Sequence, residues 1–384
     1  MLVIGLMSGT SVDGVDAALV DIGDKKIVPH AFITLTYPKK LRERIIQVSN
    51  GEKITAGELA ELNALIGEIF GKSAIKVCEK ASIPISKVEL LGSHGQTIAH
   101  IPCKGATLQI GEPAVIAEKT GVTVISDFRQ ADIAARGEGA PLTPMADYFL
   151  FRNEKLNRMI VNIGGITNIT FIPSAATNPT EIIGFDTGPG NMMIDGLVQL
   201  LTKGKRKYDE NGMLALKGQV HEGWLKTILR HPFFKKKPPK SAGREQFGMD
   251  YLLSLIKKFN VKSKKDYHDF CATLTAAVAQ SIAIQVKRFV LPNNRVDEVL
   301  LCGGGYKNSA LRKFIEHYFR ELVDKQVKVH TTALAGVAPD AREAIAFAVL
   351  AYLTWKGQTG NIPSVTGASR PIVLGKISPA TPVH

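Results

Sequence analysis

Four glycine-rich turns, each following a predicted strand, constrain the fold of this chain more than any other feature. They occupy residues 8–14, 164–168, 186–191 and 303–305. Glycine lets the backbone approach an anion closely, and consecutive free N–H groups form a nest for phosphate oxygens. A single turn of this kind is more often an ordinary hairpin. Four of them at the carboxyl ends of strands predict a ligand site at that edge of an α/β sheet.

The type of turn narrows the fold class further. The chain has no G-x-x-x-x-G-K-[ST] sequence and no G-x-G-x-x-G after its first predicted strand, so neither a P-loop nor a Rossmann fold is expected. Glycine hairpins between antiparallel strands in both halves instead indicate the actin-like ATPase architecture. The predicted fold class is therefore α/β, with two duplicated actin-like (ribonuclease H-like) domains and a nucleotide cleft between them.

The order of predicted elements agrees with a duplication. Strands are expected at residues 2–7, 15–22 and 27–36, and the second half opens in a similar way at 159–163 and 169–172. A chain of 384 residues is also too long for one ordinary core. We expect one domain at residues 1–135 together with about 365–384, and a second at 136–364.

Composition places the chain among ordinary globular proteins, with 45% hydrophobic and 22% charged residues. Cys78, Cys103, Cys271 and Cys302 lie far apart and form no C-x-x-C pair, which favours reduced thiols and a cytoplasmic location. The first seven residues lack the basic region of a secretory signal. The apolar stretch near residues 270–291 is interrupted by polar and charged side chains, so we interpret it as a packed helix and expect no membrane partner.

The formal net charge of +13 raises the question of a nucleic-acid partner. Its densest basic runs, at residues 203–207 and 235–240, are not interleaved with aromatic side chains that could stack on bases. We therefore interpret both runs as solvated loops and expect no nucleic-acid partner. Attraction of anionic substrates is the weaker alternative.

A series of motifs covering nearly the whole chain resembles the anhydro-N-acetylmuramic acid kinase family. The motifs, in the family's order, are GLMSGTSVDGVD at residues 5–16, GSHGQTI at 92–98, DFR at 127–129, GAPL at 139–142, NIGG at 162–165, GFDTGPGN at 184–191 and CGGG at 302–305. One departure is visible at Arg136 and Glu138, where the family more often has glycine and glutamine. That difference concerns the conformation of a loop more than the activity.

The resemblance implies an ATP- and Mg²⁺-dependent enzyme of cell-wall recycling. Such a kinase hydrolyses the internal ring of 1,6-anhydro-N-acetylmuramic acid and phosphorylates O6, giving N-acetylmuramic acid 6-phosphate and ADP. Two alternatives stay open at this point: a kinase of another small sugar on the same fold, or an actin-like ATPase that transfers no phosphoryl group. A homodimer is left open as well.

Asp186 is the predicted catalytic base, since it matches the family's catalytic aspartate and follows a predicted strand. A carboxylate with an ordinary pKa is ionised at neutral pH, so we expect no special shift for this role. The alternative for the same residue is a helix N-cap or an Asx turn, because aspartate is common before a glycine turn and a helix.

The remaining predicted site residues follow from the motif matches. Those expected to bind the nucleotide are Gly9, Thr10, Ser11, Asp13, Gly14, Asp16, Asn162, Gly164, Gly165, Gly188, Gly303, Gly304 and Gly305. Asp13 is also expected to hold Mg²⁺, directly or through water. Those expected to bind the sugar are His94, Gln96, Thr97, Arg129 and Glu343. For Arg129 a bidentate contact to the lactyl carboxylate competes with an ion pair to Asp132, and for His94 a role in shaping the loop is favoured over acid–base chemistry.

Overall fold

The computed structural model describes residues 1–9, 11–23 and 26–381. The chain forms two compact units, one from residues 1–150 and 336–384 and the other from residues 151–335. The first unit is called unit 1 below, and the second is called unit 2. Thr10, one of the predicted nucleotide-binding residues, lies outside the described residues.

Unit 1 contains seven strands and seven α-helices within its described residues. The strands are β1 (Leu2–Ser8), β2 (Gly14–Ile22), β3 (Ile27–Thr36), β4 (Leu90–Ile101), β5 (Ala106–Ile110), β6 (Val124–Ser126) and, near the end of the chain, β12 (Lys376–Ser378). The helices are α1 (Lys39–Ser49), α2 (Ala56–Ala81), α3 (Pro113–Thr120), α4 (Phe128–Ala134), α5 (Thr143–Phe151), α12 (Arg342–Trp355) and α13 (Pro363–Thr366).

The strands of unit 1 form one mixed sheet in the order β12-β6-β4-β1-β2-β3, with β5 also paired to β4. The first three strands form the predicted antiparallel meander, while β4 runs parallel to β1 and to β6. Apolar side chains of β1 and β2 pack with those of α2 into a single core. A capping box at Thr55 begins α2, where the hydroxyl accepts from the Glu58 N–H and the Glu58 carboxylate accepts from the Thr55 N–H.

Helix α12 packs directly on the centre of this sheet because two glycines leave room for it. Gly5 of β1 and Gly92 of β4 are register partners. A Cβ atom at Gly5 would overlap the carbonyl oxygen of Ala344, and one at Gly92 would overlap that of Phe347. This close contact ties the last long helix to unit 1. The division of the chain therefore differs from the expected one, which assigned residues 136–364 to the second domain.

Unit 2 contains five strands and six α-helices within its described residues. The strands are β7 (Arg158–Ile163), β8 (Ile166–Ile172), β9 (Ile183–Pro189), β10 (Glu298–Cys302) and β11 (Lys328–Thr331). The helices are α6 (Asn191–Leu201), α7 (Glu222–Ile228), α8 (Arg244–Phe247), α9 (Met249–Phe259), α10 (Lys264–Phe289) and α11 (Ser309–Leu322).

The sheet of unit 2 repeats the plan of unit 1. Its order is β11-β10-β7-β8-β9. As in unit 1, the first strand is antiparallel to the second, the second is antiparallel to the third, and the fourth runs parallel to the first. Five strands follow the same order in both sheets, β6-β4-β1-β2-β3 in unit 1 and β11-β10-β7-β8-β9 in unit 2. The predicted fold class, two duplicated actin-like α/β domains, is confirmed.

Helix α10 is long and apolar enough to cross a membrane, but 83% of its most apolar window is buried inside the protein. It is the only such helix in the part of the chain that the structure describes. Its apolar side chains pack in the core of unit 2, as the sequence predicted. Residues 203–207 are exposed, and so are Lys235, Lys236 and Lys237, in agreement with solvated loops.

The turn predicted at 186–191 is wrong over residues 186–189, which are extended, and the motif residues 92–96 are extended as well. Residues 92–96 lie inside β4, where Gln96 pairs with Ile110 of β5. Residues 186–189 lie inside β9, where Gly188 pairs with Thr167 of β8. In both places a neighbouring strand takes up the backbone hydrogen bonds that a turn would leave to solvent. The glycines permit the distortion, since Gly95 and Gly188 have φ of 74° and 143°.

Candidate active site

Two buried polar side chains form hydrogen bonds that hold the turn between β1 and β2. The Ser8 hydroxyl bonds to the Gly14 carbonyl at 2.9 Å and to Oε1 of Gln96 at 2.6 Å. The Gln96 amide in turn donates to the carbonyl of Gly9 at 3.4 Å. Both Ser8 and Gln96 are 1% exposed. Gln96, a predicted sugar contact, therefore supports the glycine turn in this structure.

Arg42 of α1 holds the outer part of the same turn. Its guanidinium donates to the carbonyls of Val12 (2.8 Å) and Ser11 (3.0 Å), and it forms an ion pair with Asp13 at 3.1 Å. Val12 has a φ of 53°, which is uncommon for a β-branched residue and needs such external support. Arg42 was not predicted as a site residue, because it lies outside the matched motifs and only the fold brings α1 to the turn.

Asp13 and Asp16, both predicted nucleotide contacts, differ in their surroundings. The Asp13 side chain is 63% exposed, and its only charged neighbour among the described ion pairs is Arg42. Asp16 lies within β2 and accepts a hydrogen bond from the Thr34 hydroxyl at 2.5 Å. Asp13 is thus the more accessible carboxylate of the two.

His94 is fully buried and held as a neutral ring. Its Nδ1 faces the carbonyl of Gly95 at 2.9 Å, and its Nε2 faces Nε–H of Arg129 at 3.0 Å. A carbonyl only accepts and a guanidinium only donates, so the proton lies on Nδ1 and Nε2 is the acceptor. Burial and the Arg129 charge hold the pKa of His94 well below its usual value. Its ring also packs on Phe347, which supports a role in shaping the site over acid–base chemistry.

Arg129 interacts with two other predicted sugar contacts, His94 and Glu343. Besides His94, it donates to the Gly139 carbonyl at 2.7 Å. Burial lowers the pKa of Arg129 to about 10, and the carboxylates of Glu343 and Asp132 act in the opposite direction. The guanidinium is therefore charged at neutral pH and lies in the field of Glu343, in the first turn of α12.

The ion pair between Arg129 and Asp132, considered from the sequence, is not among the described ion pairs. Asp132 instead accepts from the Gly139 N–H at 2.8 Å and, through its other oxygen, from Asn361 and Thr366 at 2.7 Å each. It fixes the loop in which Arg136 stands where the family more often has glycine. Arg136 has a φ of 69°, the left-handed conformation that glycine adopts without strain.

Thr97 is half-buried in β4. Its hydroxyl accepts from the Gln109 amide at 3.3 Å, across the pairing of β4 with β5.

In unit 2, the hairpin of β7 and β8 packs on the start of α6. The N–H of Gly190 and that of Met192 donate to the Gly165 carbonyl at 2.9 and 3.2 Å. The N–H of Asn191 donates to the Gly164 carbonyl at 2.8 Å. The end of β9 and the hairpin are consequently one rigid element, so two of the four predicted turns are in direct contact.

The third turn of unit 2 lies against the same hairpin. A Cβ atom at Gly303, whose φ is 73°, would overlap the side-chain oxygen of Asn162, and one at Gly305 would overlap the Ile163 side chain. Gly304 between them has no atom near the place of a Cβ. Gly303 and Gly305 are therefore required for packing, while Gly304 faces open space. The Asn162 side chain is 8% exposed at the end of β7, beside Cys302 of β10.

Asp186 lies within β9 and is 9% exposed. One carboxylate oxygen accepts from the Ala242 N–H at 2.8 Å, and the Asp186 N–H donates to the Lys240 carbonyl at 3.2 Å. Burial raises the pKa of Asp186 to about 7, against the lowering effects of the Ala242 N–H and the Lys240 charge. The expectation of an ordinary pKa was wrong, because desolvation outweighs both contacts. The N-cap alternative is wrong too, since Gly190 holds that position for α6.

Lys240 is a second residue that the sequence analysis misjudged. As part of the basic run 235–240 it was expected to be solvated, but it is 9% exposed. Phe233, Phe185 and Phe289 surround its ammonium group. Two prolines stand between Lys240 and the three exposed lysines of the run. This break in the sequence was the signal that could have separated Lys240 from the others.

Comparison with known proteins follows from these observations. Residues 1–380 match the family model described as anhydro-N-acetylmuramic acid kinase. Relatives carrying that name include one from Caldanaerobacter subterraneus subsp. tengcongensis, 42% identical over 98% of this chain and 96% of the relative. Another, from Clostridioides difficile, is 42% identical over 99% of this chain and 98% of its own length. A third, from Bacillus cereus strain G9842, is 42% identical over 98% and 99%.

Solved structures are more distant. The activator of the 2-hydroxyisocaproyl-CoA dehydratase from Clostridium difficile aligns with a TM-score of 0.45 and 13% identity, covering 93% of this chain and 96% of that one. The ROK hexokinase from Thermus thermophilus aligns with a TM-score of 0.41 and 14% identity, covering 93% and 100%.

Proposed function

The chain belongs to the anhydro-N-acetylmuramic acid kinase family, and from this we propose that it uses ATP to hydrolyse and phosphorylate 1,6-anhydro-N-acetylmuramic acid. The products are N-acetylmuramic acid 6-phosphate and ADP, and the reaction belongs to peptidoglycan recycling in the cytoplasm. The observation that carries the proposal is the buried Asp186 carboxylate, which lies in β9 beside the glycine hairpin of β7 and β8 and is held by the Ala242 N–H.

The atoms of the reaction balance with one water molecule. The water oxygen bonds to C1 of the sugar while the C1–O6 bond breaks. O6 bonds to the γ-phosphorus of ATP, and ADP leaves. The water also releases a proton, which needs an acceptor beside C1, and positioning of the three reactants supplies much of the rate.

Asp186 is proposed as that acceptor. General-base catalysis is most effective when the pKa of the base lies near the working pH, because the group is then both ionised and basic. Burial places the pKa of Asp186 in this range. The Ala242 N–H on one carboxylate oxygen fixes its orientation and leaves the other oxygen for the proton.

The glycine turns are proposed to bind the phosphates and the adenosine. Gly9 and Gly304 have no atom near the place of a Cβ, so a ligand can approach the backbone there. Side-chain hydrogen bonds hold Ser11, Val12 and Gly14 of the β1–β2 turn, and backbone hydrogen bonds hold the Gly164–Gly165 hairpin. This order before a ligand arrives reduces the entropy cost of binding. The residues proposed to bind the nucleotide are those predicted from the sequence: Gly9, Thr10, Ser11, Asp13, Gly14, Asp16, Asn162, Gly164, Gly165, Gly188, Gly303, Gly304 and Gly305.

The exposed Asp13 carboxylate is a suitable ligand for Mg²⁺. The described residues contain no group of three His, Cys, Asp or Glu side chains that could enclose a metal ion. Mg²⁺ in kinases needs only one or two carboxylates, because phosphate and water oxygens complete its octahedron. Asp13, exposed at the tip of the first turn, would hold it directly or through water. The ion would neutralise charge that develops on the transferred phosphoryl group.

The sugar is proposed to bind near Arg129. Its guanidinium, partly used by His94 and Gly139, is a cation suited to the lactyl carboxylate of the substrate. Glu343 beside it can accept hydrogen bonds from hydroxyl groups, and Thr97 is assigned to the same ligand. The neutral His94 supports Arg129 and takes no part in proton transfer.

We expect turnover to show an acidic limb set by Asp186. Its pKa is raised, so the base form is lost as the pH falls through about 7, and kcat should fall about tenfold per unit below that point. The measurement is the initial rate at saturating ATP and sugar across neutral and acidic pH. A limb near the ordinary carboxylate pKa of about 4 would contradict the assignment.

Replacement of Arg42 should weaken nucleotide binding. In Arg42→Ala the Ser11 and Val12 carbonyls lose their donor, and the turn becomes mobile before ATP binds. Because the guanidinium is 27% exposed, we expect a loss of only about fivefold in ATP affinity, with kcat little changed. Calorimetric titration with a non-hydrolysable ATP analogue measures this. Arg44→Ala is the matched control, since Arg44 lies in the same helix and pairs with Glu52 instead of the turn; an equal loss there would contradict the explanation.

Product analysis tests the proposal as a whole. The protein is mixed with Mg-ATP and 1,6-anhydro-N-acetylmuramic acid, and the sugar products are identified by mass. We expect one phosphorylated species that has gained a water molecule. N-Acetylmuramic acid and N-acetylglucosamine serve as control acceptors: faster transfer to either would favour a kinase of another small sugar, and ATP hydrolysis without any sugar product would favour the non-transferring ATPase.

A further inference from the structure

The Lys240 side chain occupies an aromatic cage within unit 2. Its ammonium nitrogen lies 4.6 Å from the ring centre of Phe233, 5.2 Å from that of Phe289 and 5.6 Å from that of Phe185. It donates one hydrogen bond, to Oε1 of Gln285 at 2.5 Å. The cage excludes water from most of the cation, which is 9% exposed.

The cage is continuous with Asp186. Phe185, one of its walls, immediately precedes Asp186 in β9. The Lys240 carbonyl accepts from the Asp186 N–H, and two residues later the Ala242 N–H donates to the Asp186 carboxylate. Segment 240–242 therefore crosses the aspartate and touches both its backbone and its side chain, while the buried cation anchors the start of the segment.

Among the charged groups whose fields act on Lys240, Asp186 is the anion. Arg288 and Lys236 are cations whose fields disfavour the ammonium, and Asp186 is the anion whose field favours it. Desolvation of a cation is costly, and cation–π contacts offset only part of that cost. An apolar side chain such as methionine would fill the same cage without that cost. The presence of a lysine here, in spite of the cost of burying its charge, indicates that the charge has an electrostatic role.

We propose that Lys240 is a positioning residue that orients the Asp186 carboxylate through segment 240–242 and, through its own charge, makes that carboxylate easier to ionise. This inference rests on the proposed role of Asp186 as the base. Burial lowers the pKa of Lys240 to about 8 and raises that of Asp186 to about 7, so the two are oppositely charged together near neutral pH. Without the lysine charge, burial would keep Asp186 protonated to higher pH.

The test follows the ionisation of Asp186 with and without the cation. Infrared difference spectra across pH identify the protonated carboxyl band that is present in the wild type and absent in Asp186→Asn. In Lys240→Met the pH at which this band disappears should rise by about one unit or more. The acidic limb of kcat should move with it, lowering the rate at pH 7 about fivefold. Lys240→Arg should restore both, because it keeps the charge.

Lys237→Met is the matched control, since it removes an exposed positive charge from the same basic run and should move neither readout. If Lys240→Met does not fold, Lys240→Gln keeps a donor for Gln285 and should give the same displacement. A purely structural lysine would lower the rate equally at every pH and leave the infrared titration unmoved, which would overturn the proposal. A displaced infrared titration in a protein that does not phosphorylate the anhydro-sugar would uphold the Lys240 inference and reject the proposed function.

Discussion

Asp186→Asn should reduce kcat by about 10²–10⁴ while leaving nucleotide affinity unchanged, because it removes the proton acceptor and little else. The amide oxygen of asparagine can still accept from the Ala242 N–H, so the local geometry is kept. Steady-state rates with the anhydro-sugar give kcat, and calorimetry with an ATP analogue gives affinity. Near wild-type turnover in this variant would show that Asp186 is not the base.

Asp195→Asn is the matched control for that experiment. Asp195 lies in α6 of the same unit, and burial together with the nearby Asp209 raises its pKa to about 7 as well. It differs from Asp186 in lying in a helix and not in β9, and in being influenced by another carboxylate and not by a lysine. We expect kcat to change by less than about twofold. A loss as large as that of Asp186→Asn would mean that removing any buried carboxylate disturbs the unit.

Arg342→Met should destabilise unit 1 by about 3–5 kcal/mol, because it leaves a buried carboxylate without its cation. Arg342 is 1% exposed and Asp147 is 0% exposed. The guanidinium donates to both carboxylate oxygens of Asp147, through Nε at 2.7 Å and through Nη2, and Nη2 also reaches the Thr143 hydroxyl at 3.2 Å. The pair joins the first turn of α12 to α5 and so holds Glu343 in place.

The stability of unit 1 can be followed selectively. Trp355 ends α12, and Trp224 belongs to unit 2, so a Trp224→Phe background leaves one fluorophore that reports on unit 1 during urea unfolding. Lys376→Ala, which removes a cation 66% exposed from its pair with Asp127 in the same unit, should change stability by less than about 0.5 kcal/mol. Replacing both partners, as Asp147→Leu with Arg342→Met, should recover much of the loss. A single Arg342→Met variant as stable as its background would contradict the account.

The sequence was most informative where local and global requirements coincide. The meander of β1 to β3 was predicted within a residue or two, because short apolar runs bounded by turn residues define it without help from distant parts of the chain. The glycine hairpin of β7 and β8 and the duplication followed from the same signals. The turn predicted at 186–191 failed over residues 186–189 because pairing with β8 draws Gly188 into the sheet.

The site was less predictable than the fold because its energetics depend on burial. The two prolines before Lys240 separate it from the exposed lysines of the run 235–240, but two of the aromatic rings that enclose it come from distant parts of the chain. The pKa of Asp186 likewise depends on desolvation by side chains distant in sequence. Gly5 and Gly92 matched the family motifs, but their packing role against α12 became visible only with the helix in place. Arg42 was missed for the same reason.

The most direct test of the central claim is the position of solvent oxygen in the product. The reaction is run in ¹⁸O-labelled water with Mg-ATP and 1,6-anhydro-N-acetylmuramic acid, and unlabelled N-acetylmuramic acid 6-phosphate is held in the same water to measure anomeric exchange. We predict one ¹⁸O atom at C1 beyond that exchange and phosphate on the unlabelled O6. A phosphorylated sugar without ¹⁸O at C1, or with its anhydro ring intact, would contradict the account.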